Sequence, residues 1–192
     1  MKLFKILTLG LLLTTMVGCE DFLDLQPISE ETSGNAYETA SQIEAALVGA
    51  YESFQSSEYY VWDYLLFQDV RSDNCYAGGD NPEVFQIDNI TIPATHSRIF
   101  THWSNLYNAI SKANLVIERV SNISDPLLTE ARKNQIKGEA IFLRAYHYFT
   151  LVKLWGGVPL ITNTITSTDA NAVNIPRATQ ETVYAQIIAD LE

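Results

Sequence analysis

The sequence predicts an all-α protein in which helical hairpins are joined by irregular loops. Apolar residues recur every three or four positions over long stretches, which is the period of an amphipathic helix. Glycine and proline cluster between those stretches, at 78–82 and at 156–159, where they end helices and form turns. Residues 84–92 show a broken alternation that ends at Pro93, so we expect them to be extended or irregular.

The amino-terminal segment predicts export and lipid attachment. Two lysines precede an apolar run over 6–17, which is typical of a signal peptide and short for a membrane span of about 20 residues. A small residue, Gly18, then precedes Cys19, and this order resembles a bacterial lipoprotein box. We therefore expect a signal peptide at 1–18 and acylation, as by palmitate, at Cys19. The alternative is an ordinary secretory signal followed by an incidental cysteine.

Charge and cysteine content exclude several classes of protein. The net charge is −11, and loss of the signal peptide's two lysines would make it −13, which argues against nucleic-acid binding. Once Cys19 is lipidated, Cys75 has no disulfide partner, and we expect it to be a half-buried apolar residue. The three histidines (His96, His102 and His147) lack metal-ligand spacing, and no nucleophile or phosphate-loop motif occurs. We therefore expect no metal, no cofactor and no catalysis.

Three helical regions follow a predicted acidic tether at 19–34. The first helix is predicted at 35–56, capped by Ser33 or Asn35. A second at 97–121 carries an apolar stripe that runs from Phe100 to Val120. A third, at about 127–155, follows the start signal at 124–126 and ends at two glycines. The second and third helices predict an antiparallel hairpin, and its Trp103-x-x-Leu106 pattern resembles the opening of a tetratricopeptide repeat.

A final helix is predicted from Thr179 to Glu192, where the sequence stops without a cap or a polar tail. We expect the helical domain at 35–192 to be incomplete at its carboxy end. Arg144 is the one cation in the most apolar part of the hairpin. We expect it to form a buried ion pair or to bond loop carbonyls, with Asp69, Asp73 or Asp190 as the possible acid, because guanidinium satisfies several acceptors at once.

The best candidate ligand site lies at 62–81, where aromatic rings alternate with amides and carboxylates. Flat rings suit the apolar faces of sugars, and planar polar groups suit their hydroxyls. The alternative is that Trp62 and Tyr64 are core aromatics and that residues 80–81 merely form a turn. The candidate ligand-binding residues are Trp62, Tyr64, Asp73, Asn74, Tyr76, Asp80 and Asn81.

Several stretches, taken in order, resemble the amino-terminal part of the SusD/RagB family of outer-membrane lipoproteins. The most specific is Gly-Glu-Ala-Ile-Phe-Leu-Arg-Ala-Tyr-His-Tyr-Phe at 138–149, followed by Trp-Gly-Gly-Val-Pro-Leu at 155–160. The segments at 19–27, 103–114 and 177–191 also resemble the family's pattern. The resemblance covers essentially the whole chain.

The resemblance implies a tetratricopeptide-like helical scaffold that continues into a longer carboxy-terminal part. It implies a lipoprotein on the outer face of the outer membrane, held there by Cys19. Family members form a lid over a SusC-type TonB-dependent transporter and capture oligosaccharides for import. The alternatives are a helical scaffold whose main role is to dock on the transporter, and a peptide-binding, RagB-like member.

Overall fold

The computed structural model describes residues 36–192 apart from residues 73 and 168. The predicted signal peptide at 1–18, the predicted tether at 19–34 with Cys19, and Asp73 lie outside the described residues. Within them the fold is all-α, as predicted, and the strand-like pairing consists of one isolated bridge between Pro159 and Arg177. None of the described helices is long and apolar enough to cross a membrane. The helices are α1 (Ala40–Tyr51), α2 (Pro82–Asp88), α3 (Ser97–Val120), α4 (Glu130–Trp155), α5 (Ala170–Val173) and α6 (Gln180–Leu191).

Helices α3 and α4 form the predicted antiparallel hairpin. Trp103 near the start of α3 contacts Trp155 at the end of α4, with ring centroids 5.2 Å apart. At the other end of the hairpin, Val120 and Ile136 share one buried cluster with residues of α1. Helix α6 packs on α4 through Val183 and Ile187, so α4 is covered on two sides, as its apolar sequence predicts.

Helix α1 begins later than predicted, because its cap is Thr39 rather than Ser33 or Asn35. Thr39 and Gln42 form a reciprocal capping box in which each side chain accepts a hydrogen bond from the other's backbone amide. The Ala40 amide donates to Asp125 at 2.8 Å, so the loop before α4 fixes the start of α1.

Helix α4 also begins later than predicted. Asp125 accepts from the Leu127 amide and forms a turn, and the N-cap is Thr129, whose hydroxyl accepts from the Arg132 amide. The end is as predicted: Gly156 has φ of 70° and ψ of −126°, a conformation that glycine adopts without a steric penalty.

The prediction for 84–92 is wrong over most of its length. Residues 82–88 form α2, because Asn81 caps the helix and Pro82 occupies its first turn, where no backbone donor is needed. Two burial predictions are also wrong. Cys75 is exposed, and Phe100, placed in the core stripe, is 73% exposed.

Arg144 is buried and bonded at every donor group of its guanidinium. Its Nε and Nη2 donate to the two carboxylate oxygens of Asp190, at 2.8 and 2.6 Å. Its Nη1 donates to Asn114 Oδ1 and to the Thr162 carbonyl, at 3.1 and 3.0 Å. The expected ion pair and the expected loop carbonyl are therefore both present, and Asp190 is the acid.

Candidate functional site

Residues 57–81, here called the aromatic segment, carry the candidate site on short helical turns and a loop. The turns are Ser57–Val61, Asp63–Leu65 and Leu66–Val70, and residues 71–81 are the loop. Tyr59 anchors the first turn, because its ring is fully buried and its hydroxyl lies 2.6 Å from His147 Nδ1 on α4. The buried Tyr59 ring thus anchors the aromatic segment to the hairpin.

The rest of the aromatic segment is held by a small core of its own. Leu66, Phe67 and Ala77 pack with Val84 and Ile87 of α2. The Ala77 amide also donates to the Asp88 carboxylate at 2.9 Å, which fixes the loop near its middle. The loop is therefore supported on both sides of its exposed residues.

Asp63 fixes the backbone beside Trp62. Its carboxylate is fully buried and accepts from Arg98 Nη1 at 2.9 Å, while its second oxygen has no partner within the described part of the chain. Burial raises the pKa of Asp63, and the neighbouring Arg98 guanidinium opposes that rise. An ion pair at this depth orients the turn, and the free oxygen is the cost of that arrangement.

The structure exposes most of the predicted site residues. Trp62 is 49% exposed and Tyr76 is 82% exposed, and Asn74 and Asp80 are exposed on the loop. Asn81 accepts from the Glu83 amide as the cap of α2, which is the turn role considered as the alternative.

Tyr64 lies in an aromatic cluster that sequence reasoning did not assemble. Its ring is 5.0 Å from that of Tyr60, which in turn is 6.4 Å from Tyr146 of α4. Lys153 lies over both the Tyr64 ring and the Phe149 ring, at 5.7 and 4.8 Å. Tyr146 and Lys153 are seven residues apart on one face of α4, and that spacing was the signal available in the sequence.

The aromatic segment exposes ring faces, amides and hydroxyls, which are groups with the chemistry to contact a sugar. Apolar faces of sugar rings stack on exposed aromatic rings, and amides and carboxylates bond hydroxyls. No group of three or more His, Cys, Asp or Glu side chains that could hold a metal occurs among the residues that the structure describes.

Comparison with known proteins finds relatives that match along essentially the whole chain. A family model described as SusD-like, starch-binding and associating with the outer membrane matches residues 21–192. SusD-like protein P2 of Formosa agariphila is 30% identical over 195 residues, which cover 100% of this chain and 37% of the relative. A SusD-like protein of Bacteroides ovatus is 29% identical over 191 residues, which cover 99% of this chain and 33% of that relative. The chain thus spans about a third of the length of these relatives.

Solved structures share the fold. A laminarin-binding SusD-like protein superimposes with a TM-score of 0.69 at 27% identity, over 80% of this chain and 33% of that one. The surface glycan-binding protein A of Bacteroides fluxus gives a TM-score of 0.67 at 25% identity, over 80% of this chain and 32% of that one.

Proposed function

The chain belongs to the SusD-like family, and we propose that it captures glycans at the cell surface for import by a SusC-type TonB-dependent transporter. In this proposal the segment 1–18 directs export, Cys19 carries the acyl chains, and 19–34 is a tether. The work is equilibrium binding, which raises the concentration of ligand over the transporter without chemical conversion.

The observation that carries the proposal is the exposure of Trp62 and Tyr76 on a segment that the core holds in place. Large exposed rings are costly to leave in water, and a fixed ring loses little entropy when a sugar stacks on it. Asn74 and Asp80 lie exposed on the same loop and supply polar groups for hydroxyls. The laminarin-binding and glycan-binding neighbours support a glycan as the ligand.

Isothermal titration of the chain from residue 19, carrying Cys19→Ala, tests this function. The titrants are laminarin and starch oligosaccharides, with a mixed peptide pool as the comparison. We expect saturable binding to one glycan class, and Trp62→Ala and Tyr76→Ala each lower the association constant about five-fold or more, the factor for a lost stacking contact.

The matched control is Phe100→Ala, which removes an exposed ring of α3 outside the aromatic segment. It leaves the association constant unchanged. Binding to the peptide pool alone, or equal effects of all three variants, would contradict glycan capture at the aromatic segment.

A second function, docking on the transporter as a scaffold or lid, is supported by exposed apolar side chains on the hairpin and on α6. Phe142, Ile188 and Leu191 are more than half exposed. Retained co-purification with the transporter in the absence of any glycan binding would favour this function over capture. Metabolic labelling with palmitate, in the wild type and in Cys19→Ala, tests the anchor.

A further inference from the structure

We propose that a polar groove between the end of α1 and the outer face of α3 is a second glycan-binding site, one that selects neutral oligosaccharides. This inference rests on the proposed glycan capture and adds a second surface to it. The groove shares no residue with the seven candidates of the aromatic segment.

The groove has the size and rigidity of a ligand site. Its volume is about 600 Å³, within the range of small-molecule sites in proteins. One wall is a single face of α3, because residues three or four positions apart project on the same side of a helix. The other wall is the turn that follows α1. The groove is lined by Asn105, Asn108, Ser111 and Lys112 from α3 and by Glu52, Ser53, Gln55 and Ser56 from the turn.

The chemistry of the walls suits hydroxyl groups. Side-chain amides and serine hydroxyls both donate and accept hydrogen bonds, as the hydroxyls of a sugar do. Asn105 is oriented by the protein, since its Nδ2 donates to the Glu58 carbonyl at 3.1 Å and its Oδ1 is left to accept. Asn108 and Ser111 are exposed, and neither side chain makes a hydrogen bond within the described residues.

The charge of the groove excludes an anionic ligand. Its cation, Lys112, is already paired with Glu52 at 3.1 Å, so the lining has no positive charge to spare. The chain as a whole carries a net charge of −11. A uronate or a sulfated sugar would meet repulsion without compensation, whereas a neutral sugar would not.

The groove continues into a second cavity, which points to a chain of sugars rather than one. Asn108 and Ser111 also line a cavity of about 190 Å³ whose other residues include Tyr107 and Asn163. Tyr107 is held in place, because its hydroxyl donates to the Pro159 carbonyl at 2.7 Å. The partly buried Tyr107 forms part of the cavity wall, so one sugar can contact it while the next unit bonds Asn108.

The test is a nuclear magnetic resonance titration of the chain carrying Cys19→Ala, with neutral laminarihexaose and with an anionic alginate hexamer of the same length. We expect the side-chain amide signals of Asn105 and Asn108 to shift with the neutral probe and not with the anionic one. Asn108→Ala lowers the affinity measured on Asn105 about five-fold, the factor for one hydrogen bond. Ser111→Trp, which fills the part common to both cavities, abolishes these shifts.

Asn134→Ala is the matched control, since Asn134 is an exposed asparagine of α4 outside the groove. Groove shifts that persist in Trp62→Ala establish a second site. Shifts confined to the aromatic segment would overturn the second site and leave glycan capture standing. Shifts confined to the groove would overturn capture at the aromatic segment. The absence of shifts with either probe, or stronger shifts with the anionic one, would overturn the neutral groove site.

Discussion

The region of the hairpin around Arg144 and the region where the aromatic segment packs on the hairpin both contain buried polar groups. The two regions differ in whether those groups have hydrogen-bond partners. In the hairpin, every donor group of the Arg144 guanidinium is bonded, to Asp190, Asn114 and the Thr162 carbonyl. Where the aromatic segment packs on the hairpin, buried polar atoms lack partners among the described residues: one oxygen of Asp63, both ring nitrogens of His102 on α3 and Nε2 of His147 on α4.

This difference separates stability from presentation of a surface. A fully bonded buried cation fixes how α4, α6 and the loop at 158–164 pack together. Unpartnered buried groups cost free energy, and native proteins keep few of them, mostly where another requirement dominates. Here they lie beneath the turns that expose Trp62, so we interpret them as the cost of holding that ring outward.

Among conservative substitutions, the largest expected effect is in the hairpin. Arg144→Lys replaces a planar guanidinium by a point charge that cannot bond Asp190 with two atoms and also reach Thr162. We expect a loss of about 3 kcal/mol in the free energy of unfolding, since each charged hydrogen bond contributes about 1.5–3 kcal/mol. Urea denaturation of the wild type and the variant measures this loss. We expect the glycan affinity per folded molecule to stay the same.

Arg119→Lys is the control, because Arg119 is an exposed arginine in the last turn of α3. An unchanged unfolding midpoint for Arg144→Lys would show that the Arg144 network does not stabilise the hairpin.

Acid should act mainly where the aromatic segment meets the hairpin. Burial lowers the pKa of His102 to about 4 and that of His147 to about 3. The unfolded chain binds these protons near pH 6.5, so it holds more protons than the folded chain between that pH and the lower values. Above about pH 6.5 these two histidines therefore do not lower the free energy of unfolding. Below that pH they lower it progressively, because the unfolded chain is protonated first. From pH 7 to 5 we expect a loss of about 2 kcal/mol for each histidine.

His102→Leu isolates this effect, because it replaces one buried imidazole by an apolar side chain that does not titrate. In the variant, the loss in the free energy of unfolding between pH 7 and pH 5 should be about half that of the wild type. Urea denaturation at both pH values measures it. Asp63 works in the opposite direction, since its pKa is raised, but it is present in both proteins. An equal loss in the two proteins would assign the acid sensitivity to other groups.

A glycine pair tests the backbone requirement at the end of the hairpin. Gly156→Ala forces a side chain into a conformation with φ of 70°, at a cost of about 1–3 kcal/mol. Gly138→Ala lies in the interior of α4 with open space around its new methyl group, and it should stabilise by up to about 1 kcal/mol. Thermal unfolding of the two variants should therefore move the midpoint in opposite directions.

The same division explains what the sequence could predict. Apolar spacing predicted the hairpin and the final helix because those residues do face a common core. Three acids remained possible partners for Arg144, since sequence does not state which of them the fold brings near. The cap at Thr39 was missed because Ser33 and Asn35 are equally good cap residues by type.

The aromatic segment was harder to predict because its order comes from distant contacts. Its short helical turns have no apolar period of their own, and Tyr59 is buried against residues of α3 and α4, with His147 beside its hydroxyl. Residues 84–92 were predicted to be extended or irregular because the seven residues of α2 are too few to show a helical period clearly. The ring exposure that makes Trp62 and Tyr76 candidates is a tertiary property.

The smallest expected change in stability is that of Trp62→Ala. Trp62 is half exposed and has no ring contact with another aromatic among the described residues, so its removal should change the free energy of unfolding by less than about 0.5 kcal/mol. Urea denaturation measures it, with the fully buried Tyr59→Ala as the contrast that loses about 3–5 kcal/mol. A loss above about 1 kcal/mol for Trp62→Ala would mean that the ring supports the core. The unpartnered buried polar groups could then not be interpreted as the cost of holding that ring outward.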